Sequence, residues 1–182
     1  VGIIGAGPAG LLLGHLLHVQ GIDSVIVENR SCDYVIDRVR AGVLEQGTVD
    51  LMIQMGVGER LRREGLPHQG LYFSFAGQRH HIHLSELTGG KTITVYGQNE
   101  VVKDLIAARV ATGRPLHFEV ERVTIHDMDS ERPRIRFEQD GREEEIACDF
   151  IAGCDGFHGI CRPSIPEGSI KSYERAYPFG WL

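Results

Sequence analysis

Three groups of residues could hold or move charge on a ligand. The first is the glycine set Gly5, Gly7 and Gly10 in the opening VGIIGAGPAG, with the carboxylate Glu28 beyond it. Glycines in this order supply a tight turn, a close backbone approach to a pyrophosphate and close helix-strand packing, and a carboxylate at the end of the next strand accepts ribose hydroxyls. Pro8 suits a first helical turn, and the amides that open that helix have no internal partners, so a phosphate is their natural occupant. A 2′-phosphate on the same ribose would meet like charge at Glu28. The second group is Arg38 and Arg40, followed by Ala41 and Gly42. On a loop beside the phosphate site the pair could make bidentate anion contacts, and spacing alone does not separate this from two solvated arginines. The third is GCDGFHGICR, where Asp155 and Gly156 follow an apolar stretch and Arg162 closes the segment. A plain Asx turn at Asp155 competes with a ligand role, which the second glycine and the arginine favour.

These residues need elements to place them. Residues 1–4 read as a buried strand, residues 11–19 as a helix stopped by Gly21, and residues 24–27 as a second buried strand ending at Glu28. Gly10 and Gly14 should form a flat ridge against the sheet, at a cost of roughly 1 kcal/mol in helix propensity for Gly14. A polar stretch over 29–42 precedes helical patterns over 44–55, closed by Gly56, and over 58–64. Residues 71–75 and 78–84 alternate around Ala76 and Gly77 as a hairpin. Its second arm carries His80, His81 and His83. His81 and His83 share a face, but no third metal ligand stands at a recognisable spacing, so exposed strand histidines are the preferred reading and no metal is expected. A short β run over 92–96 leads to a helix over 99–111 that buries Val101, Val102, Leu105 and Ile106, with Gln98 at its start as a cap or a ligand contact. Strands over 116–125 and 134–137 follow, then the Asp140-Gly141 hairpin signal. Residues 148–152 are apolar on consecutive positions, as in a strand covered on both faces, which would put Asp155 in the crevice at the carboxyl end of a parallel strand.

The totals fit this reading. A chain of 182 residues can bury a real core, and 25 acidic against 19 basic residues, a formal charge of −6, argue against nucleic acid or an anionic membrane surface as the main partner. No apolar stretch approaches the roughly 20 residues of a spanning helix and no basic leader is present, which suits a cytoplasmic protein. Cys32, Cys148, Cys154 and Cys161 show no CxxC pairing and read as reduced thiols. The chain starts inside a strand without Met and stops on apolar residues, so it is expected to be the N-terminal part of a longer enzyme.

The ordered segments GAGPAG, RVRAGVLEQG, TVYGQNE, IAGCDGFHGICR and YPFGWL resemble, along essentially the whole chain, the N-terminal half of the p-hydroxybenzoate hydroxylase group of single-component FAD-dependent aromatic hydroxylases. The resemblance implies an α/β fold: a Rossmann-like FAD-binding domain, mostly parallel with inserted antiparallel strands, over 1–171, and the start of a substrate-binding domain over 172–182. It implies that Gly5, Gly7, Ala9 and Gly10 line the FAD pyrophosphate and Glu28 the adenosine ribose. Arg38, Val39, Arg40, Ala41, Gly42 and Val43 would wrap the FAD, with Arg40 toward the pyrophosphate, and Gln98 would reach the flavin nucleotide. Asp155 and Gly156 belong to a segment contacting FAD and NAD(P)H, His158 and Arg162 would help bind NAD(P)H with Arg38 assisting, and His68 matches the outer end of a proton network from substrate phenol to solvent.

The implied activity is hydroxylation of 4-hydroxybenzoate to 3,4-dihydroxybenzoate with NADPH or NADH and O2, through a C4a-hydroperoxyflavin, in a homodimer when full length. The 182 residues alone would not turn over. Gly159 replaces the Ser common after DG in related hydroxylases, although p-hydroxybenzoate hydroxylases also carry glycine there; in residues 29–34, where the family sets its preference between NADPH and NADH, Asn29 stands where Arg is frequent and Arg30 offers a replacement, so that choice stays open. Without the family, His68 reads as an ordinary loop histidine. The competing functions are an FAD hydroxylase of another phenolic acid and a non-catalytic nucleotide-binding module.

Overall fold

The central layer is a four-stranded parallel sheet in the order β12-β1-β2-β8, made of β1 (Gly2–Ile4), β2 (Val25–Val27), β8 (Leu116–His117) and β12 (Ile151–Gly153). The computed structural model describes residues 1–180; Trp181 and Leu182, which end the YPFGWL segment expected to begin a second domain, lie outside the described residues. β1 sits in the middle, with Gly2 opposite both Val25 and Ile151. Ile3 and Ile26 are wholly buried, as strands covered by helices require.

One face of the sheet is covered by α1 (Pro8–Val19) and α6 (Gln98–Ala111). Gly10 and Gly14 let α1 lie flat: a Cβ on Gly10 would stand 2.0 Å from the Gly5 carbonyl oxygen, and one on Gly14 2.8 Å from Ile26 Cδ1. On α6, Val101, Val102, Leu105 and Ile106 are buried as expected. So is Arg109, which donates to Ser24 Oγ at 3.0 Å, to the Ser24 carbonyl at 2.5 Å and to the Pro115 carbonyl at 2.9 Å. This one guanidinium joins α6 to the starts of β2 and β8, and burial holds its pKa below the ordinary value.

Two smaller antiparallel sheets and a hairpin complete the chain, so the expected parallel sheet with inserted antiparallel strands holds. β9 (Glu121–His126), β10 (Arg134–Gln139) and β11 (Arg142–Ala147) form a meander whose second turn is Asp140-Gly141, both at positive φ, 52 and 73. That is the primed turn its dipeptide predicts. β3 (Val43–Glu45), β7 (Ile93–Val95) and β4 (Leu66–His68) pair in the order β3-β7-β4, with Pro67 on an edge strand where its missing amide costs nothing. β5 (Leu71–Phe75) and β6 (Gln78–Ile82) form the expected hairpin, whose second arm stops at Ile82 and not at Leu84, because His83 and Leu84 open the next helix.

Several boundaries differ from the sequence reading, each for a tertiary reason. The helix expected over 44–55 is α3 (Gln46–Gln54), because Val43–Glu45 is drawn into the ladder with β7. The polar stretch over 29–42 contains a helix, α2 (Cys32–Asp37), capped by Ser31 Oγ on the Tyr34 amide at 3.2 Å. The expected strand over 116–125 is broken, since Glu119 turns left-handed (φ 59) where the chain leaves the parallel sheet for the meander. The strand expected over 148–152 begins only at Ile151, and Phe150 is 71% exposed, so this edge of the sheet is not covered on both faces. The helix over 58–64 is α4 (Glu59–Glu64), and the short α5 (Leu84–Leu87) was not expected.

Candidate functional site

The carboxyl ends of β1, β2 and β12 converge. Glu28 follows β2, and its Oε2 accepts the Ala6 amide at 2.8 Å while Oε1 accepts the Arg30 amide at 2.9 Å. The carboxylate is therefore anchored at the mouth of the glycine turn. Gly5 (φ 108) is held from both sides: its amide donates to the Val27 carbonyl at 2.8 Å, and a Cβ there would lie 2.5 Å from the Cys154 carbonyl oxygen and 2.9 Å from Asp155 Cα. Gly7, the N-cap of α1, has open space where a side chain would stand. The first bond of the helix runs from the Leu11 amide to the Gly7 carbonyl at 3.0 Å, so the amides of Ala9 and Gly10 have no helical acceptor. Two crowded glycines fix the turn and one open glycine leaves room for a ligand, with unpaired amides beside it. That arrangement can hold a phosphate.

The arginine segment lies on the neighbouring elements. Arg38 caps α2, and its guanidinium carbon stands 5.8 Å from the Tyr34 ring centroid, with that of Arg30 5.2 Å from the same ring. Through Arg30 this cluster adjoins Glu28. Val39, Arg40 and Ala41 are exposed, Val39 the most at 80%. The Gly42 carbonyl accepts the Tyr96 amide at 2.8 Å, and a Cβ on Gly42 would meet Gly97 Cα at 3.4 Å, which sets the loop and Val43 against the start of α6 and hence beside Gln98. Gln98 does not cap that helix; Gly97 is the N-cap and no side chain bonds there, so the amide of Gln98 is left for other partners. Ala6 and Leu11 share one core with Tyr96, Val101 and Val102, which ties the two halves of the region together.

Asp155 lies after β12. Its Oδ2 accepts the Cys161 amide at 2.9 Å, closing a loop in which Gly156 takes φ 77. Within this loop Phe157 meets the His158 ring at 5.0 Å between centroids, and the Arg162 guanidinium stands 4.9 Å from the Phe157 ring. His158 and Arg162 are thus on one exposed surface. The sequence reading named both but missed Phe157 as the piece between them; an aromatic residue between a Gly and a His in a polar turn was the available signal. Tyr34 falls within the 29–34 stretch, but its position between Arg30 and Arg38 becomes visible only once α2 is seen.

His68 is on strand β4 and not on a loop, exposed, opposite Ile93 and without a side-chain hydrogen bond among the described residues. His81 Nδ1 lies 2.8 Å from His83 Nε2. Among the described residues no cluster of three or more His, Cys, Asp or Glu could hold a metal ion. All four cysteines are free. Among the described residues no helix is long and apolar enough to cross a membrane.

Residues 1–182 match the family described as FAD binding domain. The chain is 54% identical to p-hydroxybenzoate hydroxylase of Acinetobacter baylyi over 182 residues, which is 100% of this chain and 45% of that protein. It is 27% identical over 164 residues to a 3-(3-hydroxy-phenyl)propionate/3-hydroxycinnamic acid hydroxylase of Mycolicibacterium gilvum, covering 88% of this chain and 28% of that one. The chain therefore spans less than half the length of these relatives. Among solved structures, p-nitrophenol 4-monooxygenase of Pseudomonas putida superposes with a TM-score of 0.74 at 18% identity, over 88% of this chain and 42% of that chain. A probable FAD-dependent monooxygenase of Pseudomonas aeruginosa gives 0.72 at 19% identity, over 97% and 47%.

Proposed function

The chain belongs to the FAD binding domain family, and on that premise we propose that it is the flavin-binding part of an aromatic hydroxylase that converts 4-hydroxybenzoate to 3,4-dihydroxybenzoate with NAD(P)H and O2. The observation that carries the nucleotide site is the Glu28 carboxylate held on the Ala6 amide at 2.8 Å, beside an open Gly7. The residues fit FAD: crowded Gly5 and Gly10 hold the turn, Gly7 leaves space for a pyrophosphate, and the Ala9 and Gly10 amides lack helical acceptors. FAD when bound would accept hydride from NAD(P)H and activate dioxygen, chemistry no side chain performs alone.

The chain's own residues bind, orient and carry a proton. Glu28 accepts the ribose hydroxyls, and residues 38–43 with Gln98 close over the nucleotide, Arg40 toward the pyrophosphate. Asp155 and Gly156 close the second strand end. His158 and Arg162, with Arg38, bind NAD(P)H; the two guanidiniums on Tyr34 favour the phosphorylated coenzyme, because they present fixed positive charge to a 2′-phosphate. A phenol with a pKa of about 10 must lose its proton to enrich the ring, and His68, exposed on β4, offers an imidazole that can pass that proton to water. Residues 1–171 form the FAD-binding domain and 172–182 begin the substrate domain, and the 182 residues alone do not turn over. The full-length protein is a homodimer in this reading.

The 54% identity favours 4-hydroxybenzoate over the phenylpropionoid acids of the 27% relative. The gene product carrying this chain should purify yellow, oxidise NADPH faster when 4-hydroxybenzoate is added, and release 3,4-dihydroxybenzoate on chromatography. A colourless protein, or oxidation indifferent to 4-hydroxybenzoate, would overturn the proposal.

A further inference from the structure

The loop after β12 is closed by a side chain that has room only because another is missing. Asp155 Oδ2 accepts the Cys161 amide at 2.9 Å. A Cβ built on Gly159 would stand 2.0 Å from Asp155 Cγ and 2.2 and 2.5 Å from its two carboxylate oxygens, so the carboxylate fills the volume that a side chain at 159 would need. Cys161 is packed beneath the strand end in turn: a Cβ on Gly153 would come within 2.6 Å of Cys161 Cβ and 3.0 Å of its Sγ. Burial, and then the neighbouring Asp155 carboxylate, push the Cys161 thiol up to about 12, so it stays an uncharged S–H at neutral pH. Cys161 precedes Arg162, and the contacts of Arg162 and His158 with Phe157 hang from the same loop.

Resting on the dinucleotide reading above, we propose that Gly159 and Cys161 are positioning residues of that site: together they hold the Asp155 carboxylate inside its own loop, with Oδ2 on the Cys161 amide and Oδ1 without a partner in the loop and so free for a ligand hydroxyl, and His158 and Arg162 are presented from a fixed loop. A methyl at 159, which offers the carboxylate no donor, displaces it, and the loop then has to be ordered by the ligand at a cost in affinity. The effect belongs to coenzyme binding and not to the chemical step, because neither residue reaches a reacting atom.

The test uses the full-length protein with Gly159→Ala, Cys161→Ala, Cys161→Ser and Asp155→Asn, each compared with the unsubstituted chain. Site-resolved alkylation by iodoacetamide at about pH 9 reads the thiol directly: Asp155→Asn and Gly159→Ala should raise the Cys161 rate several-fold, toward the roughly tenfold that one unit of pKa is worth. In steady state, Gly159→Ala should raise the KM for NADPH about tenfold with kcat within about twofold; Cys161→Ala, which keeps the backbone amide and loses only the sulfur packed beneath Gly153, should do so less, and Cys161→Ser, which nearly keeps that volume, should stay near the parent. Unchanged alkylation in both Asp155→Asn and Gly159→Ala would overturn the proposal, as would altered alkylation with an unaltered KM for NADPH and unaltered flavin affinity. If the unsubstituted protein binds no flavin, the dinucleotide reading falls and the positioning role with it, whereas the alkylation contrast still reports the Asp155–Cys161 contact by itself.

Discussion

Gly7 and Gly10 answer to different constraints within one turn of helix, and substitution separates them. At Gly10 an added methyl meets the Gly5 carbonyl oxygen at 2.0 Å, which is backbone and cannot rotate away, so Gly10→Ala should cost about 1–3 kcal/mol of stability. At Gly7 nothing lies within 4 Å and the backbone is extended, with φ −73. Gly7→Ala should therefore cost under about 1 kcal/mol, mostly as a weaker N-cap. It should nonetheless weaken FAD binding at least tenfold, since its methyl enters the space the nucleotide needs. Denaturant melts and flavin fluorescence titration of the two variants check this. Equal losses of stability would show that both glycines serve only packing.

At the scale of elements, Arg109 is the member that holds the layers together. Removing its guanidinium leaves the Ser24 carbonyl buried without a donor, at a cost of about 1–3 kcal/mol, and takes one of two donors from the Pro115 carbonyl, which also accepts the Ile26 amide at 3.2 Å. Arg109→Met, which keeps the length and loses the donors, should lower stability by about 2–4 kcal/mol, or roughly 4–16 °C in melting temperature. A shift under about 2 °C in calorimetry would mean that water replaces the guanidinium. Nothing in the sequence marked this residue, because an arginine in an amphipathic helix reads as solvated and only the close packing of α6 on α1 and β2 buries it. Where local rules decide, the reading was sound: the glycine turn, the Asp140-Gly141 hairpin and the apolar face of α6 follow from φ preference and periodicity. Where partners distant in sequence decide, it was not. Leu44 and Glu45 read as the start of a helix but pair with β7, and residues 148–150 read as strand although β12 starts after them. The site was legible in the same proportion. Glu28 and Asp155 were named from their place after apolar runs, while the Tyr34 and Phe157 platforms needed coordinates.

For the whole molecule, ion pairs set how stability responds to acid. Arg60 on α4 is bonded to both Glu100 and Asp104 of α6, and Asp104 accepts the Tyr96 hydroxyl at 2.7 Å. Lys103 and Arg60 hold the Glu100 carboxyl below its ordinary 4.5, and Arg134 and Arg136 do the same for Asp127 and Glu145 on the meander. Groups with depressed folded values stabilise above their unfolded pKa and lose that contribution as pH falls through the folded one. Melting temperature should thus vary little between neutral pH and about 5 on account of these groups, then fall below about 4.5 as they protonate. Thermal melts across this range test it, and a decline complete above about pH 6 would shift responsibility to the histidines. The placement of β1 carries one more consequence. Its two neighbours are β2, just downstream, and β12, which follows only after the residues of β2 to β11 have been made. During synthesis β1 therefore waits with one edge unsatisfied, an adhesive flank that chaperones would have to shield until Ile151–Gly153 emerges and seals it.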